Sequence, residues 1–339
     1  MIQYPILPNQ ATIGITAPSS GVPEPLHHLL HEVQTSMKQK GYSTTFGDTA
    51  WTQTKSKSAS AIKRAKEFEE MILDESIDAI IPPWGGELLI EVLEHIDFSK
   101  IPPKWILGYS DTSALLLSIT LKTGIATAHG TNIVDIRGKY SDPTTSKWDD
   151  VLKTKQGETI KQCSSDLYQK EWDFNNPTDH IFHLTERTNW KVINGDSFHV
   201  EGRLLGGCID VIHHLIGTPC GDVAYFKQNY LKENEPIIWY LENCDLATPD
   251  LRRALTQMRY AGWFDHCSGI LFGRSAANTP VDGYVAEDVY EEISAECGVP
   301  VAYDIDCGHV PPQITFINGA YAIVNVKKGA GTITQTFRS

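Results

Sequence analysis

Lys104-Trp105-Ile106-Leu107-Gly108-Tyr109-Ser110-Asp111-Thr112 runs an apolar strand, Lys104–Gly108, directly into a helix predicted over Thr112–Lys122. A serine on such a tight turn is lifted out of the sheet toward solvent. The flanking backbone N–H groups point to the same place, and the helix N-terminus adds partial positive charge. These features suit a nucleophile that must stabilise an oxyanion beside it. The match to G-x-S-x-G is incomplete, because Thr112 stands where the second glycine would be. The simpler alternative is that Ser110 or Asp111 only caps the helix.

Outward from this turn the same alternation continues. Ala11–Thr16 reads as a buried strand and leads into the loop Ala17-Pro18-Ser19-Ser20-Gly21. A helical stretch follows to about Lys40, and a second spans Ser58–Leu73 with Ile62, Ala65, Phe68 and Ile72 at helical spacing. Ile77–Ile81 is a short strand ended by Pro82-Pro83. Strand and helix in alternation imply a parallel sheet covered on both faces. The stretch from about Ser141 to Asn194 is polar and is expected to be irregular. Strand candidates return at Ile237–Leu241, Gly269–Phe272, Val299–Tyr303 and Tyr321–Val326, with helices at Thr248–Tyr260 and Ala286–Glu296 between them. The expected fold class is α/β: an N-terminal parallel-sheet domain with flanking helices over 1–150, an irregular interdomain region over 151–194, and a second, smaller α/β domain over 195–339. The active site is expected in the cleft between the domains. There is no internal repeat.

Composition narrows the function. The 339 residues are 41% hydrophobic, enough for a real core, and the length suggests two domains. Lys and Arg number 29 against 42 Asp and Glu, a net charge of −13, with no dense basic cluster. A nucleic-acid partner is therefore not expected. Met1-Ile2-Gln3-Tyr4-Pro5 lacks the basic flank and apolar stretch of a targeting segment, and no apolar run reaches the ~20 residues of a membrane span. A cytoplasmic protein without a membrane partner is expected. The seven cysteines, none in a C-x-x-C pair, read as reduced thiols rather than a zinc site.

Two further segments supply candidate partners for Ser110. Trp239-Tyr240-Leu241-Glu242-Asn243 places an acid at the end of an apolar strand, where α/β folds put their chemistry. Asp304-Ile305-Asp306-Cys307-Gly308-His309-Val310-Pro311-Pro312-Gln313 sets a histidine on a Gly/Pro-rich loop after a strand. Each residue alone also fits an ordinary surface role, and twelve histidines are available.

Taken together, Gly-Tyr-Ser-Asp before an apolar helix, Leu-Glu-Asn ending a strand, and Gly-His followed by Pro-Gln and Asn318-Gly319 resemble the LD-carboxypeptidase family. That family includes the murein LD-carboxypeptidases and the microcin-C immunity peptidases. Thr16-Ala17-Pro18-Ser19, Trp84-Gly85-Gly86, Gly202-Arg203-Leu204-Leu205-Gly206-Gly207 and Leu215-Ile216-Gly217-Thr218-Pro219 are further landmarks in the family's order. The resemblance implies two domains, a Ser-His-Glu triad, no metal or other cofactor, and a homodimer. It makes Ser110 the nucleophile, His309 the general base and then acid, and Glu242 the group that orients His309. The N–H of Asp111, with that of Gly85 or Gly86, would form the oxyanion hole.

The implied substrate is a small peptide or an aminoacyl-nucleotide. A carboxypeptidase must hold a free carboxylate, which arginine does well through a bidentate pair. Arg203, Arg252, Arg253 and Arg274 are the candidates, with Trp84, Trp190 and Arg203 expected at the substrate. Thr188-Asn189-Trp190-Lys191 resembles the loop whose tryptophan stacks on a nucleobase in the immunity peptidases, worth about 1–3 kcal/mol; packing under the loop is the alternative. Glu87-Leu88-Leu89 after the glycines, and Asn243-Cys244-Asp245 after the acid, depart from that branch. Hydrolysis of the L,D bond of murein tetrapeptides is therefore the expectation, with the immunity activity as the alternative. A non-catalytic peptide or nucleotide binder is the rival from another class. A nucleotide-dependent oxidoreductase is disfavoured, because Gly14–Gly21 lacks G-x-G-x-x-G.

Overall fold

The computed structural model describes residues 1–170 and 181–338. Five short strands, β1 (Thr12–Ile15), β2 (Ser43–Phe46), β3 (Ala79–Ile80), β4 (Trp105–Gly108) and β5 (Thr127–His129), make a parallel sheet in the order β5-β4-β3-β1-β2. β1, β3, β4 and β5 are almost wholly buried, which is why they read as continuous apolar runs rather than alternating ones. α1 (His27–Gln39) and α2 (Ala61–Leu73) connect them. Ser60 caps α2 by accepting from the Lys63 N–H. The buried face of α2 is Arg64, Ala65, Phe68, Met71 and Ile72, so Ile62 of the expected stripe is exposed instead.

Strand order reverses between β1 and β3, so the loops leaving their C-terminal ends diverge and open a crevice. Ser19-Ser20 leaves β1 into that crevice, Gly85-Gly86 follows β3, and Ser110 follows β4. α3 (Thr112–Thr123) is buried at every residue from Thr112 to Leu121. Its run Thr-Ser-Ala-Leu-Leu-Leu-Ser-Ile-Thr-Leu offers no charged face, as a helix enclosed on all sides requires.

The remaining strands are β6 (Thr159–Cys163), β7 (Leu167–Tyr168), β8 (Glu186–Arg187), β9 (Lys191–Val192), β10 (Ser197–Cys208), β11 (Ile237–Glu242), β12 (Cys267–Gly273), β13 (Val301–Ile305), β14 (Phe316–Asn318), β15 (Tyr321–Lys327) and β16 (Ala330–Thr336). Eight of them form a second, mixed sheet in the order β6-β16-β15-β10-β11-β12-β13-β9, parallel from β10 to β13. Its size corrects one expectation. The region 151–194 is not simply irregular: β6 pairs with β16 at one edge and β9 with β13 at the other. These strands are short and polar on their exposed faces, so they carry no apolar pattern to be read. β14 returns to the first sheet, antiparallel to β5, and α3 packs between that sheet and β10. Among the described residues no helix is long and apolar enough to cross a membrane.

Arg203 lies in β10 opposite Ile237, whereas Cys208 lies opposite Glu242. Five strand residues, about 16 Å, separate it from the Glu242 end. It is fully buried and donates to both Glu235 oxygens at 2.7 and 2.9 Å, to the Tyr4 hydroxyl at 3.1 Å, and to the carbonyls of Gly319 and Arg338. The substrate role expected of Arg203 is thus corrected to a structural one. Glu235→Gln leaves this buried guanidinium without its counter-charge, and should cost about 3–5 kcal/mol in urea unfolding. An unmoved midpoint would show that the pair does not hold the strand ends together.

Candidate active site

The turn after β4 holds Ser110 at φ 61°, in the left-handed region. A non-glycine residue there is strained, and strain at a strand-to-helix turn is how a serine is projected for attack. Asp111 occupies the N-cap position of α3, but its side chain does not cap. Its carboxylate instead accepts from the Ser19 hydroxyl and, at 2.8 Å, from the Leu89 N–H. The capping alternative therefore does not describe this carboxylate. It ties the loops after β1 and β3 to the turn.

Gly85 faces the serine directly. A Cβ on Gly85 would lie 2.5 Å from Ser110 Cβ, 2.6 Å from Ser110 Oγ and 2.9 Å from the Asp111 N. The space kept clear by this glycine is thus bounded by both the hydroxyl oxygen and a backbone donor, an arrangement that can receive an oxyanion. Gly86, at φ 141°, is turned instead toward the Ser19 and Ser20 hydroxyls. Trp84 is half-buried, and its indole N–H donates to the Gly21 carbonyl at 3.2 Å.

The structure brings the three separated segments together. His309 Nε2 lies 3.0 Å from Ser110 Oγ, and His309 Nδ1 lies 2.8 Å from Glu242 Oε2. With Nδ1–H donating to the carboxylate, Nε2 is left to accept from the serine. Glu242 ends β11 with its side chain fully buried. Gly308, at φ 95°, lets the histidine loop press onto it: a Cβ there would come within 2.5 Å of Glu242 Oε2. The Tyr109 ring packs edge-on to His309 at 5.0 Å, and its hydroxyl donates to Asp135 at 3.2 Å.

Burial works against charge on both partners, and the pair overrides it. Burial alone would lower His309, but the Glu242 carboxylate, aided by the neighbouring Cys244 thiol, holds it well above the ordinary 6.5. Burial alone would raise Glu242, but His309 brings it below its ordinary 4.5. His129, also buried, is pushed down to about 4, chiefly by desolvation. Cys208, Glu242 and His309 present sulfur, oxygen and nitrogen donors within 4.8 Å, a set chemically suited to zinc. Both imidazole nitrogens are, however, already engaged by Ser110 and Glu242.

Trp190 is not at this site. It is 1% exposed, packed in the core beneath the second sheet, and donates its indole N–H to Asp306 at 3.0 Å. The nucleobase-stacking role expected of it is corrected to support of the loop that carries His309. Asp306 also accepts from the Ser165 backbone at 2.8 Å and hydroxyl at 2.7 Å, and from Arg274. Arg252 is held by Glu292 and Glu296, and Arg253 by Asp250. Asp135, Asp306 and the thiols Cys208 and Cys244 were not singled out from the sequence. Asp306, three residues before His309, had the clearest signal, because an acid so near a loop base needs a partner when buried.

A serine, a histidine and a glutamate in one hydrogen-bonded line at the C-terminal ends of two α/β sheets form an arrangement that can carry nucleophilic acyl transfer. Residues 13–130 match the LD-carboxypeptidase N-terminal domain and residues 201–324 its C-terminal domain, so the chain belongs to the LD-carboxypeptidase family. A Vibrio cholerae protein provisionally named a carboxypeptidase is 26% identical over 310 residues, covering 89% of this chain and 88% of that protein. The microcin C7 self-immunity protein MccF of Escherichia coli is 24% identical over 319 residues, covering 89% and 87%. In fold, the chain superposes on wild-type MccF with a TM-score of 0.82 at 22% identity over 100% of both chains. For the muramoyltetrapeptide carboxypeptidase of Oxalobacter formigenes the TM-score is 0.72 at 21% identity, over 96% and 98%.

The electrostatics yield a direct titration test. His309 should titrate above 6.5 by imidazole NMR, while His129 stays neutral down to about pH 4. Glu242→Gln removes the carboxylate but not the burial, so it should move His309 downward. The raised His309 stabilises the fold fully below pH 6.5, and that contribution is lost as pH rises through its folded value. An intact protein whose His309 titrates at or below 6.5 would show that Glu242 does not control it.

Proposed function

We propose that this protein is a serine-type carboxypeptidase, hydrolysing an amide bond next to a free carboxylate, with the L,D bond of murein tetrapeptides as its substrate. The observation that carries the reading is the line Ser110–His309–Glu242, at 3.0 and 2.8 Å, with its serine on a strained turn. In this mechanism Ser110 Oγ attacks the amide carbonyl carbon and its proton passes to His309 Nε2. The oxyanion forms beside Gly85 and takes the Asp111 N–H, a donor worth roughly 3–4 kcal/mol of barrier. His309 then gives the proton to the leaving amine, the C–N bond breaks, and an acyl-Ser110 remains. Water, deprotonated by His309, releases the acid and restores the serine. Glu242 stays ionised throughout and stabilises the imidazolium.

MccF has been crystallised with aspartyl sulfamoyl adenosine, so cleavage of aminoacyl-nucleotide amides is the second reading. The burial of Trp190 takes away the residue that favoured it here. Mass spectrometry of an L-Ala-γ-D-Glu-diamino acid-D-Ala tetrapeptide tests the choice. The wild type should release a single alanine, and Ser110→Ala should lower kcat by about 10⁴–10⁶-fold without altering the fold. A near-normal rate in Ser110→Ala sinks the mechanism. An inactive wild type turns the assay to aminoacyl sulfamoyl nucleotides.

A further inference from the structure

In a chain with 29 Lys and Arg against 42 Asp and Glu, a wall of cations stands out from its surroundings. One cavity, of about 510 Å³, has such a wall: Lys170, Arg187, Lys191 and Arg274, with Tyr168 and Asp304. Lys191 is bonded to Asp304 at 2.8 Å, and Arg274 to Asp306 behind it. Among the described residues, four cations less the two carboxylates that pair with them leave a charge of +2. That charge resides on Lys170 and Arg187, which form no ion pair among the described residues.

The floor of the cavity is fixed. The Arg274 side chain is 6% exposed, its guanidinium lies 4.6 Å from the centre of the Tyr168 ring, and its Nη1 donates to the Asp304 carbonyl at 3.2 Å. Its Nε is buried and has no partner among the described residues. The cavity is also built from segments that run on from the triad. Arg274 follows the end of β12 and Asp304 is the penultimate residue of β13, the same edge of the sheet at which Glu242 ends β11. Ser275, in the wall, donates to the Asn243 carbonyl at 2.7 Å, one residue after Glu242, and Val310, also in the wall, follows His309.

We propose that this cavity is an anion subsite, in which Lys170 and Arg187 bind a carboxylate- or phosphate-bearing part of the substrate whose amide lies at Ser110. The substrate role rests on the hydrolase reading above. It gives the anion-binding task to two residues outside the set of arginines picked from the sequence. Arg203 is at the far end of β10, and Arg252, Arg253 and Arg274 each already hold a carboxylate. A guanidinium fork and a mobile ammonium together suit an anion that presents several oxygens. Concave walls of one sign focus the field on it. Both side chains are exposed, so binding should weaken with salt on the scale of the Debye length, ~8–10 Å.

Calorimetric titration with inorganic pyrophosphate, wild type beside the double variant K170A/R187A, tests the subsite without any turnover. The wild type should bind, and the variant about tenfold or more weakly, a loss of ~1.4 kcal/mol or more. No binding by the wild type, or equal affinity in the variant, overturns the subsite. The second arm compares a peptide substrate as free acid and as carboxamide. Wild type should prefer the acid through KM, and the variant should lose that preference with kcat unchanged. An unchanged preference would assign the pyrophosphate site to a free anion and overturn the substrate role. Hydrolysis of neither form would remove the peptide-substrate reading and the subsite's role in it together, while the titration still decides the anion site.

Discussion

The hydrogen bond between the buried Glu242 carboxylate and His309 is the contact on which the site depends. A carboxylate with no exposed side chain needs a partner, and among the described residues His309 is the one charge-matched group bonded to it. Meeting that need shapes the loop. Gly308 must lack a side chain so that the loop can close on the acid. Asp306, itself buried, anchors the loop from below through Ser165, Trp190 and Arg274. The histidine is thus held from two directions, and its remaining nitrogen can point only at Ser110.

That arrangement explains why two sheets are needed. Ser110 comes from the end of β4 in the first sheet, Glu242 from the end of β11 in the second, and His309 from the loop after β13. α3 and β14 fix the sheets relative to one another, because α3 is buried along its length and β14 leaves the C-terminal half to pair with β5. A small relative slip would lengthen the Ser110–His309 contact. The interlock therefore serves positioning as well as stability.

The β4 turn, the strand ends and the histidine loop were legible in the sequence because each coincides with a change of local pattern: apolar run, glycine or proline, polar residue. What was not legible depends on long-range pairing. β6 and β9 are short, polar edge strands that exist only because β16 and β13 offer them partners. Trp190 and Arg203 misled for the opposite reason. Both residue types are common at binding sites, yet here one is enclosed by the second sheet and the other by Glu235, Tyr4 and two carbonyls, facts no local pattern encodes.

The charge around the triad is divided. On the Tyr109 side, a cavity of about 470 Å³ includes Asp135 and Asp142, with Asp135 pushed up to about 6 by burial. On the Val310 side lies the cationic wall. A ligand of a single charge sign is attracted to one flank and repelled by the other. A peptide carrying both an amino group and a carboxylate can satisfy both flanks. An aminoacyl-nucleotide, which pairs an amino group with an anionic linkage, can do the same. The division of charge therefore argues for a ligand that carries both an amino group and an anion, a requirement that follows from residues on both sides of His309 rather than from any one stacking surface.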